Sequence, residues 1–255
     1  MNNIIFSTEI LTEFELGDIS KKVVRAIVIS PIETKDLVEK EIMGRSSKEY
    51  VLNALSNYET TLVESDESLL DAVKPYLKDE DYTIILYADT PLIRPSEIAD
   101  ALEYAISKNT DFCKLPRGAI VKTSAVKLNK IELSCEANFL NKQNFFYIFN
   151  LATLSQAREK MRQNILMELS SKVELEALST CYIDSLVEIK KGTCIGANCV
   201  LRGATVIGEN CVIGDNSIIE NCKIGNNCEI KSSYLKDVDI KNDTKVSPFT
   251  VKEKK

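Results

Sequence analysis

The stretch Ile195–Ile230 reads IGANCVLRGATVIGENCVIGDNSIIENCKIGNNCEI and repeats one short pattern, an aliphatic residue followed by small and polar residues. The aliphatic residue recurs every six positions, with a one-residue slip after Ile213 and a second disturbance before Ile240. The positions that we assign to the repeat are Ile183, Ile189, Ile195, Leu201, Ile207, Ile213, Ile218, Ile224, Ile230, Ile240 and Val246. Such a period fits neither a helix nor strict strand alternation. It predicts a β-helix, in which each unit is a short strand plus a corner and three units make one coil.

The spacing also predicts which side chains stack inside this prism, because residues about eighteen apart should lie above one another. The expected stacks are Thr193 with Cys211 and Cys228, Cys199 with Ser217, and Thr205 with Cys222. All are small, as expected where aliphatic side chains already fill a narrow interior. Six of the nine glycines lie between Gly192 and Gly225, where we expect corners with little room for a side chain. The repeat is long enough for about four coils.

Composition excludes several classes of function. The chain has 255 residues and a formal net charge of −6, and no basic cluster stands out, which argues against binding to nucleic acid. It contains neither an apolar run of membrane-spanning length nor a signal peptide, so we expect a cytoplasmic protein without a membrane partner. The length accommodates one large or two ordinary domains.

The eight cysteines raise the question of disulfides or a zinc site. Six belong to the repeat region: Cys181, Cys194, Cys199, Cys211, Cys222 and Cys228. No CxxC pair is present, the chain has no histidine, and most of these six occupy the small inward positions. We therefore expect reduced cysteines that pack as small apolar side chains, with a metal site as the alternative.

Before the repeat, apolar and amphipathic segments alternate, which predicts a three-layer α/β sheet. The predicted strands are Val23–Ser30, Thr61–Glu64, Thr83–Ala88, Thr110–Leu115, Ile120–Leu128 and Phe145–Asn150. The predicted helices are Ser46–Asn57, Glu67–Lys74 with Asp66 as cap, a helix from Ser96 as cap to Lys108, and Thr153–Leu178. We expect an α/β domain over residues 1–150, a linking arm helix over 151–180 and the β-helix over 181–255. No role is predicted for residues 1–20.

Two places could carry a ligand, because open α/β sheets bind ligands beyond the carboxyl ends of their strands. After Ser30 a nucleotide-binding domain would have a glycine-rich turn, but SPIETKDLVEKEIMGRSS contains only Gly44. After Thr83–Ala88 comes Asp89, which is well placed to hold a divalent cation that bridges phosphates. An aspartate before Thr-Pro also commonly closes a turn, and the spacing leaves both interpretations open.

Several segments resemble one family. YADTPLI (Tyr87–Ile93) and GRSSKEYVLNAL (Gly44–Leu55) are similar to YGDTPLI and GKPMLEYVLDAL of the bifunctional N-acetylglucosamine-1-phosphate uridylyltransferase/glucosamine-1-phosphate acetyltransferase (GlmU) family. The segment from Ser155 to Phe249 resembles that family's arm helix and first β-helix coils almost block for block. The resemblance implies a nucleotidyltransferase-like, Rossmann-like α/β domain, a left-handed parallel β-helix of hexapeptide repeats and a homotrimer packed along the β-helix. It also implies Mg²⁺ as cofactor, with Asp89 and, in a looser alignment, Asn150 as metal ligands, and a nucleotide sugar as ligand.

The departures from the family indicate a truncated and divergent relative. The LAAGxGTRM loop, whose amides hold the nucleotide phosphates, has no counterpart in IVISPIETK (Ile27–Lys35). The elements that hold uracil are missing from the region of Leu62–Ala72, and the sugar-binding half is reduced. Hydrogen bonds to charged groups contribute about 1.5–3 kcal/mol each. Losing three or four phosphate contacts therefore weakens binding by roughly 10⁴-fold or more.

Three functions remain open at this point. The first is a Mg²⁺-dependent sugar-1-phosphate nucleotidyltransferase of the uridylyltransferase type. The second is a relative with impaired or lost catalysis that serves as a trimeric scaffold or regulatory protein of nucleotide-sugar metabolism, and we favour it. The third, a hexapeptide acyltransferase, is disfavoured, because the family's acetyl transfer resembles chemistry that needs a histidine and later coils, and this chain has no histidine. No catalytic or nucleotide-binding residue is assigned.

Overall fold

The computed structural model describes residues 22–129, 137–139 and 145–254, so the weak pattern of residues 1–20 lies outside the described residues. The chain divides into two compact units. The first comprises residues 1–38 and 47–148, and the second comprises residues 39–46 and 149–255. No sequence pattern indicated that Glu39–Ser46 groups with the C-terminal half of the chain.

The N-terminal part alternates strands and helices, as predicted. Its elements are β1 (Val24–Ser30), α1 (Lys35–Val38), β2 (Glu41–Ile42), β3 (Arg45–Ser46), α2 (Ser47–Ala54), β4 (Glu59–Glu64), α3 (Leu69–Val73), a 3₁₀ turn (Lys74–Tyr76), β5 (Tyr82–Tyr87), α4 (Pro95–Ser107), β6 (Phe112–Leu115), β7 (Gly118–Lys122), α5 (Thr123–Lys127) and β8 (Ala137–Asn138). The main sheet has the strand order β4-β1-β5-β7-β6-β8. Strand β1 runs parallel to β4 and β5, whereas β7 runs antiparallel to β5 and β6.

Both faces of this sheet are covered, because successive side chains of a strand point to opposite faces. On one face Ala26 and Val28 of β1 pack in a buried cluster with side chains of α2 and α4. On the other face Ile27 and Ile29 pack with side chains of α3 and α5. Helices on both faces of one sheet form the predicted three-layer α/β arrangement, which is confirmed.

Several predicted element bounds and caps are wrong. The strand predicted over Ile120–Leu128 ends at Lys122 and continues as α5, and Phe145–Asn150 forms no strand. Ser96 does not cap α4, because Pro95 already occupies the first turn and the Glu97 carboxylate accepts from the backbone N–H of Arg94 at 3.0 Å. The N-cap of α3 is Ser68 rather than Asp66.

The C-terminal segment of the second unit has α6 (Leu151–Leu169) as its first element, and this helix is shorter than the predicted helix Thr153–Leu178. The chain leaves the helix after Leu169 because the following segment joins the β-helix. There the backbone N–H of Glu174 donates to Thr193 O at 3.1 Å. These bonds between coils replace the helical bonds that the sequence pattern favours.

The β-helix consists of short parallel strands arranged in three sheets. The strands are β9 (Glu174–Leu175), β10 (Tyr182–Ile183), β11 (Glu188–Ile189), β12 (Cys194–Ile195), β13 (Val200–Arg202), β14 (Val206–Ile207), β15 (Val212–Ile213), β16 (Ile218–Glu220), β17 (Lys223–Ile224), β18 (Glu229–Ile230), β19 (Tyr234–Lys236), β20 (Asp239–Ile240), β21 (Lys245–Val246) and β22 (Val251–Glu253). Their orders are β10-β13-β16-β19-β22, β11-β14-β17-β20 and β9-β12-β15-β18-β21. The predicted parallel β-helix is confirmed.

The register differs from the prediction at two points. Ile219 faces the interior with no exposed surface, opposite Leu201, whereas Ile218 points outward and is 38% exposed. The shortened unit therefore lies between Ile219 and Ile224 rather than after Ile213. Leu235, which the sequence pattern missed, is also buried inside the prism.

The predicted interior stacks are confirmed by contacts between neighbouring coils. The backbone N–H of Cys211 donates to Thr193 Oγ1 at 3.1 Å, and that of Cys222 donates to Thr205 Oγ1 at 3.3 Å. The N–H of Cys228 lies 3.5 Å from the Cys211 sulfur. The remaining stack follows from the register, since Val200 N donates to Ser217 O at 2.9 Å. Small inward residues thus let each coil hydrogen-bond to the next.

The corners of the coils use asparagine more than the sequence interpretation expected. Among the six repeat glycines, only Gly192 and Gly203 have a positive φ. The other left-handed corner positions are occupied largely by asparagine: Asn198, Asn210, Asn216, Asn221 and Asn227. Asparagine tolerates this conformation better than most residues. At Gly196 the reason is space, because a Cβ there would lie 2.5 Å from Asp215 Oδ1.

The cysteines in the described ranges are free thiols, as predicted. Those on the inward positions are buried, and burial raises the pKa of the Cys199 thiol to about 11. Cys194 is half-buried and points outward. Within the described ranges, no helix combines the length and apolar character needed to cross a membrane.

Candidate functional site

Asp89 lies just beyond β5, with Ala88 between them, at the carboxyl end of a central strand, and is 1% exposed. Arg117, in the turn between β6 and β7, binds both oxygens of its carboxylate. The Arg117 Nη2 atom lies 2.6 Å from Asp89 Oδ2, and the Nε atom lies 3.2 Å from Oδ1. This two-pronged geometry is the strongest form of a carboxylate–guanidinium pair. The residue predicted to hold a metal is therefore bound by a protein cation.

Two tyrosine rings hold the Arg117 guanidinium in place. Its central carbon lies 4.0 Å from the centre of the Tyr87 ring and 5.0 Å from that of Tyr147. Both distances are within the range of cation–π attraction. Burial raises the pKa of the Asp89 carboxyl, and the hydrogen bond from Arg117 opposes that change. Burial alone would lower the pKa of Arg117, but Asp89 raises it, so the guanidinium stays charged.

The backbone around Asp89 is also fixed. The N–H of Ile148 donates to the carbonyl oxygen of Asp89 at 2.9 Å, and the N–H of Ala88 donates to Ile29 O at 2.8 Å. The turn itself is closed by Thr90, whose hydroxyl donates to Tyr87 O at 2.8 Å. The hydroxyl of Thr90 therefore closes this turn, which was one of the two roles considered for Asp89. The Asp89 carboxylate pairs with Arg117 instead.

The loop after β1 carries a second internal pairing. The backbone N–H of Ile32 donates to Asp66 Oδ1 at 2.8 Å, and the N–H of Glu33 reaches the same oxygen at 3.5 Å. These amides follow Ser30, where the related glycine-rich loop would hold phosphate. A carboxylate oxygen here accepts the kind of hydrogen bond that a phosphate oxygen would accept.

Asn150 belongs to the second unit, whereas Asp89 belongs to the first. Asn150 is the N-cap of α6, and its side-chain oxygen accepts from the backbone N–H of Thr153 at 2.8 Å. The Thr153 hydroxyl in turn accepts from the backbone N–H of Asn150 at 3.0 Å. This reciprocal arrangement satisfies amides that the helix start leaves without partners. The assignment of Asn150 as a metal ligand stays a prediction.

The arrangement at Asp89 does not fit a divalent cation. A divalent cation needs several oxygen ligands, whereas the nearest group to the Asp89 carboxylate is the positively charged Arg117 guanidinium, which donates to both oxygens. In the part of the chain that the structure describes, no group of three or more His, Cys, Asp and Glu side chains could hold a metal ion.

Sequence reasoning missed Arg117, Asp66 and Tyr147 as site residues. Arg117 lies in LPRGA, an ordinary turn between two strands, and Asp66 lies in an acidic stretch. Neither belongs to a motif. The missing glycine-rich loop was the one indication of these contacts in the sequence. Without a bound phosphate and metal, the amides after Ser30 and the Asp89 carboxylate need hydrogen-bond partners from the protein.

Comparison with known proteins identifies relatives for both parts of the chain. The family model of the bacterial transferase hexapeptide (six repeats) matches residues 204–233. The bifunctional protein GlmU of Clostridium botulinum (strain Eklund 17B) is 40% identical over 99 residues, which cover 38% of this chain and 22% of that protein. GlmU of Clostridioides difficile (strain 630) is 26% identical in an alignment 242 residues long, and the alignment covers 69% of this chain and 53% of that protein.

The chain is a divergent relative of the GlmU proteins. It spans about half or less of the length of the GlmU proteins it matches. Among solved structures, 2-C-methyl-D-erythritol 4-phosphate cytidylyltransferase from Thermus thermophilus is similar over 53% of this chain and 98% of that chain, at 12% identity and a TM-score of 0.43.

Proposed function

We propose that this GlmU relative has lost nucleotidyl transfer and acts as a trimeric scaffold or regulatory protein of nucleotide-sugar metabolism. The observation that carries the proposal is the contact of the Ile32 amide with Asp66 Oδ1 at 2.8 Å. A nucleotide phosphate would have to displace this carboxylate and then bind beside its negative charge. Since like charges repel, the loop disfavours the ligand that nucleotidyl transfer requires.

Nucleotidyl transfer also needs positive charge on the transferred phosphate, which enzymes of this chemistry usually supply with Mg²⁺. The pairing of Arg117 with both oxygens of Asp89 places a protein cation at the predicted metal position. A productive complex would therefore have to open two internal pairs before it gained any contact with substrate. The cost of opening them adds to the cost of the missing glycine-rich loop.

A Mg²⁺-dependent uridylyltransferase is the second candidate, because the GlmU relatives match the N-terminal half as well as the repeats. In that case Asp89 would hold the cation and Arg117 would move away on binding, while Asn150 stays a predicted further ligand. This candidate requires the Asp89 carboxylate to become accessible, and the proposed scaffold does not.

The proposed trimer is supported by one face of the β-helix. On the sheet β10-β13-β16-β19-β22 one column of outward residues is apolar, with Tyr182, Val200, Ile218, Tyr234 and Val251, and it runs beside a charged column of Arg202, Glu220, Lys236 and Glu253. The outward column of the sheet β11-β14-β17-β20 is instead mostly charged, with Glu188, Val206, Lys223 and Asp239. An apolar column along the length of one face suits burial between copies of the chain.

Titration calorimetry separates the two candidates. The wild-type chain is titrated with UTP and with UDP-N-acetylglucosamine, each with and without Mg²⁺, and Asp89→Ala is the matched variant. The proposal expects no binding heat at millimolar ligand. Micromolar binding that disappears in Asp89→Ala would contradict the proposal and favour the uridylyltransferase.

Sedimentation without ligand tests the assembly. The scaffold proposal expects a trimer, and Ile218→Lys, on the outward apolar column, should shift it towards the monomer. Glu188→Lys, on the charged face, is the matched control and should leave the trimer intact. A wild-type monomer at micromolar concentration would contradict the proposal.

A further inference from the structure

We propose that Arg117 replaces the divalent cation at Asp89 as a permanent, protein-borne counter-ion, so that this edge of the sheet is independent of metal. The inference deepens the proposed function and shares the Arg117–Asp89 pair with it, but the loop amides and Asp66, which carry the proposed function, take no part in it. It would hold even if the chain were found to bind a nucleotide.

The first argument is that both carboxylate oxygens are paired with a protein cation. Asp89 has a side chain that is 2% exposed, and each of its oxygens accepts from a different nitrogen of Arg117. A metal ion bound to either oxygen would lie close to the Arg117 guanidinium and compete with it for the carboxylate charge. The two positive charges would repel each other at short range.

The second argument is that the guanidinium is held independently of Asp89. The rings of Tyr87 and Tyr147 lie 4.0 and 5.0 Å from its central carbon, and its side chain is 30% exposed. A surface ion pair between flexible side chains would lack such support. Here Tyr87 comes from β5 itself, and Tyr147 lies beside Ile148, whose N–H is bound to the Asp89 carbonyl oxygen at 2.9 Å.

The third argument is that Arg117 supplies the counter-charge that the buried Asp89 carboxylate needs. A buried carboxylate without a counter-charge is destabilising, which is why a metal-binding aspartate is best satisfied when its metal is present. Arg117 removes that dependence, because a guanidinium remains charged at all physiological pH values and cannot dissociate from the chain. The site is therefore neutral and complete in the protein alone.

Mn²⁺ is a suitable probe, because it takes the oxygen ligands that Mg²⁺ prefers and is paramagnetic. Full-length wild-type protein and Asp89→Asn are titrated with Mn²⁺ by electron paramagnetic resonance. The inference expects equal affinities within about twofold. Wild-type binding that is tighter than Asp89→Asn by about tenfold or more overturns it.

A measurement on the wild type alone covers the case in which Asp89→Asn does not fold. Mn²⁺ broadens the amide resonances of residues near its site, so the signals of Ala88 and Thr90 report directly on Asp89. The inference expects these two signals to stay sharp at equimolar Mn²⁺. Their selective broadening overturns it.

A double-mutant cycle tests the pairing itself. Asp89→Asn and Arg117→Met should each lower the melting temperature, and the double variant should lose less than the sum of the two, because neither partner is then left alone. Additive losses overturn the inference. If nucleotide binding is found that needs no metal and is lost in Arg117→Met, the proposed loss of ligand binding fails while the built-in counter-ion stands.

Discussion

The backbone N–H of Gly203 donates to Asp184 Oδ2 at 3.1 Å, whereas the other carboxylate oxygen, Oδ1, is buried without a hydrogen-bond partner among the described residues. Asp184 follows β10 in the first coil and is 2% exposed. Burial raises the pKa of its carboxyl, the bond from Gly203 opposes this, and the nearby negative charge of Glu41 raises it further. A buried anionic oxygen without a partner destabilises the folded state.

Asp184→Asn should therefore stabilise the protein, by about 1–3 kcal/mol at neutral pH. The sign follows from the raised pKa. The folded state holds the Asp184 proton better than the unfolded state, so this carboxyl is most favourable below its unfolded pKa of about 3.9. That stability is lost as the pH rises through the folded pKa. The gain from Asp184→Asn should thus grow from acid to neutral pH, as measured by chemical denaturation across that range.

Asp215→Asn is the matched control for this prediction. Asp215 also accepts from an amide of a neighbouring coil, with Ala197 N at 2.7 Å from its Oδ1, but it is exposed. Its replacement should be neutral or lower stability by about 1 kcal/mol. If Asp184→Asn instead destabilises the protein at neutral pH, Oδ1 has a partner in solution.

The interior of the β-helix should not tolerate larger side chains. Cys211 has no exposed surface and contacts Thr193 and Cys228 of the adjacent coils. Cys211→Leu should lower the free energy of unfolding by about 1–3 kcal/mol, because the added atoms would force neighbouring coils apart. Cys194→Leu, on the outward side of the same sheet, should change it by less than about 0.5 kcal/mol. Equal effects in thermal melting would show that the interior has spare room.

The repeat was predictable because the residue type at each position depends on whether that position faces the interior or the solvent. An inward position in a narrow coil accepts an aliphatic or a small side chain and little else, so the period is visible along the chain. The shortened units were placed wrongly, since Ile218 and Ile219 are both isoleucine. Composition cannot distinguish inward from outward between two identical neighbours.

The candidate site was predictable only at Asp89, which follows an apolar strand. Its partner Arg117 is 28 residues away, and Asp66 is 34 residues from Ile32. Both contacts depend on which loops come together at the carboxyl edge of the sheet. Local helix and strand propensities contain no information about such contacts between distant residues. The helix α6 was overestimated for a related reason, since the coil at Thr193 competes for the backbone of Glu174.

At a left-handed corner of the β-helix, replacing asparagine with alanine should lower stability more than replacing it with glycine. Asn216 has φ of 58°, and its Oδ1 accepts from Asn198 Nδ2 at 3.2 Å. Asn216→Ala and Asn216→Gly both lose this bond, but only alanine is strained in the left-handed conformation. Asn216→Gly should therefore be more stable than Asn216→Ala by about 1 kcal/mol, measured by thermal melting. The reverse order would mean that this corner changes conformation in the variants.

The hairpin formed by β2 and β3 is fastened to α6 by Arg158, whose Nε and Nη2 atoms donate to Glu41 O at 2.9 and 2.8 Å. Arg158→Ala should weaken this attachment by about 1 kcal/mol. Because 1.4 kcal/mol corresponds to a factor of about ten, hydrogen exchange of the β2–β3 amides should quicken by roughly fivefold. Lys172→Ala removes an exposed ion pair with Glu168 beyond the end of the same helix and should leave these amides unchanged. Unaltered exchange in Arg158→Ala would show that the buried side chain of Ile42 holds the hairpin without Arg158.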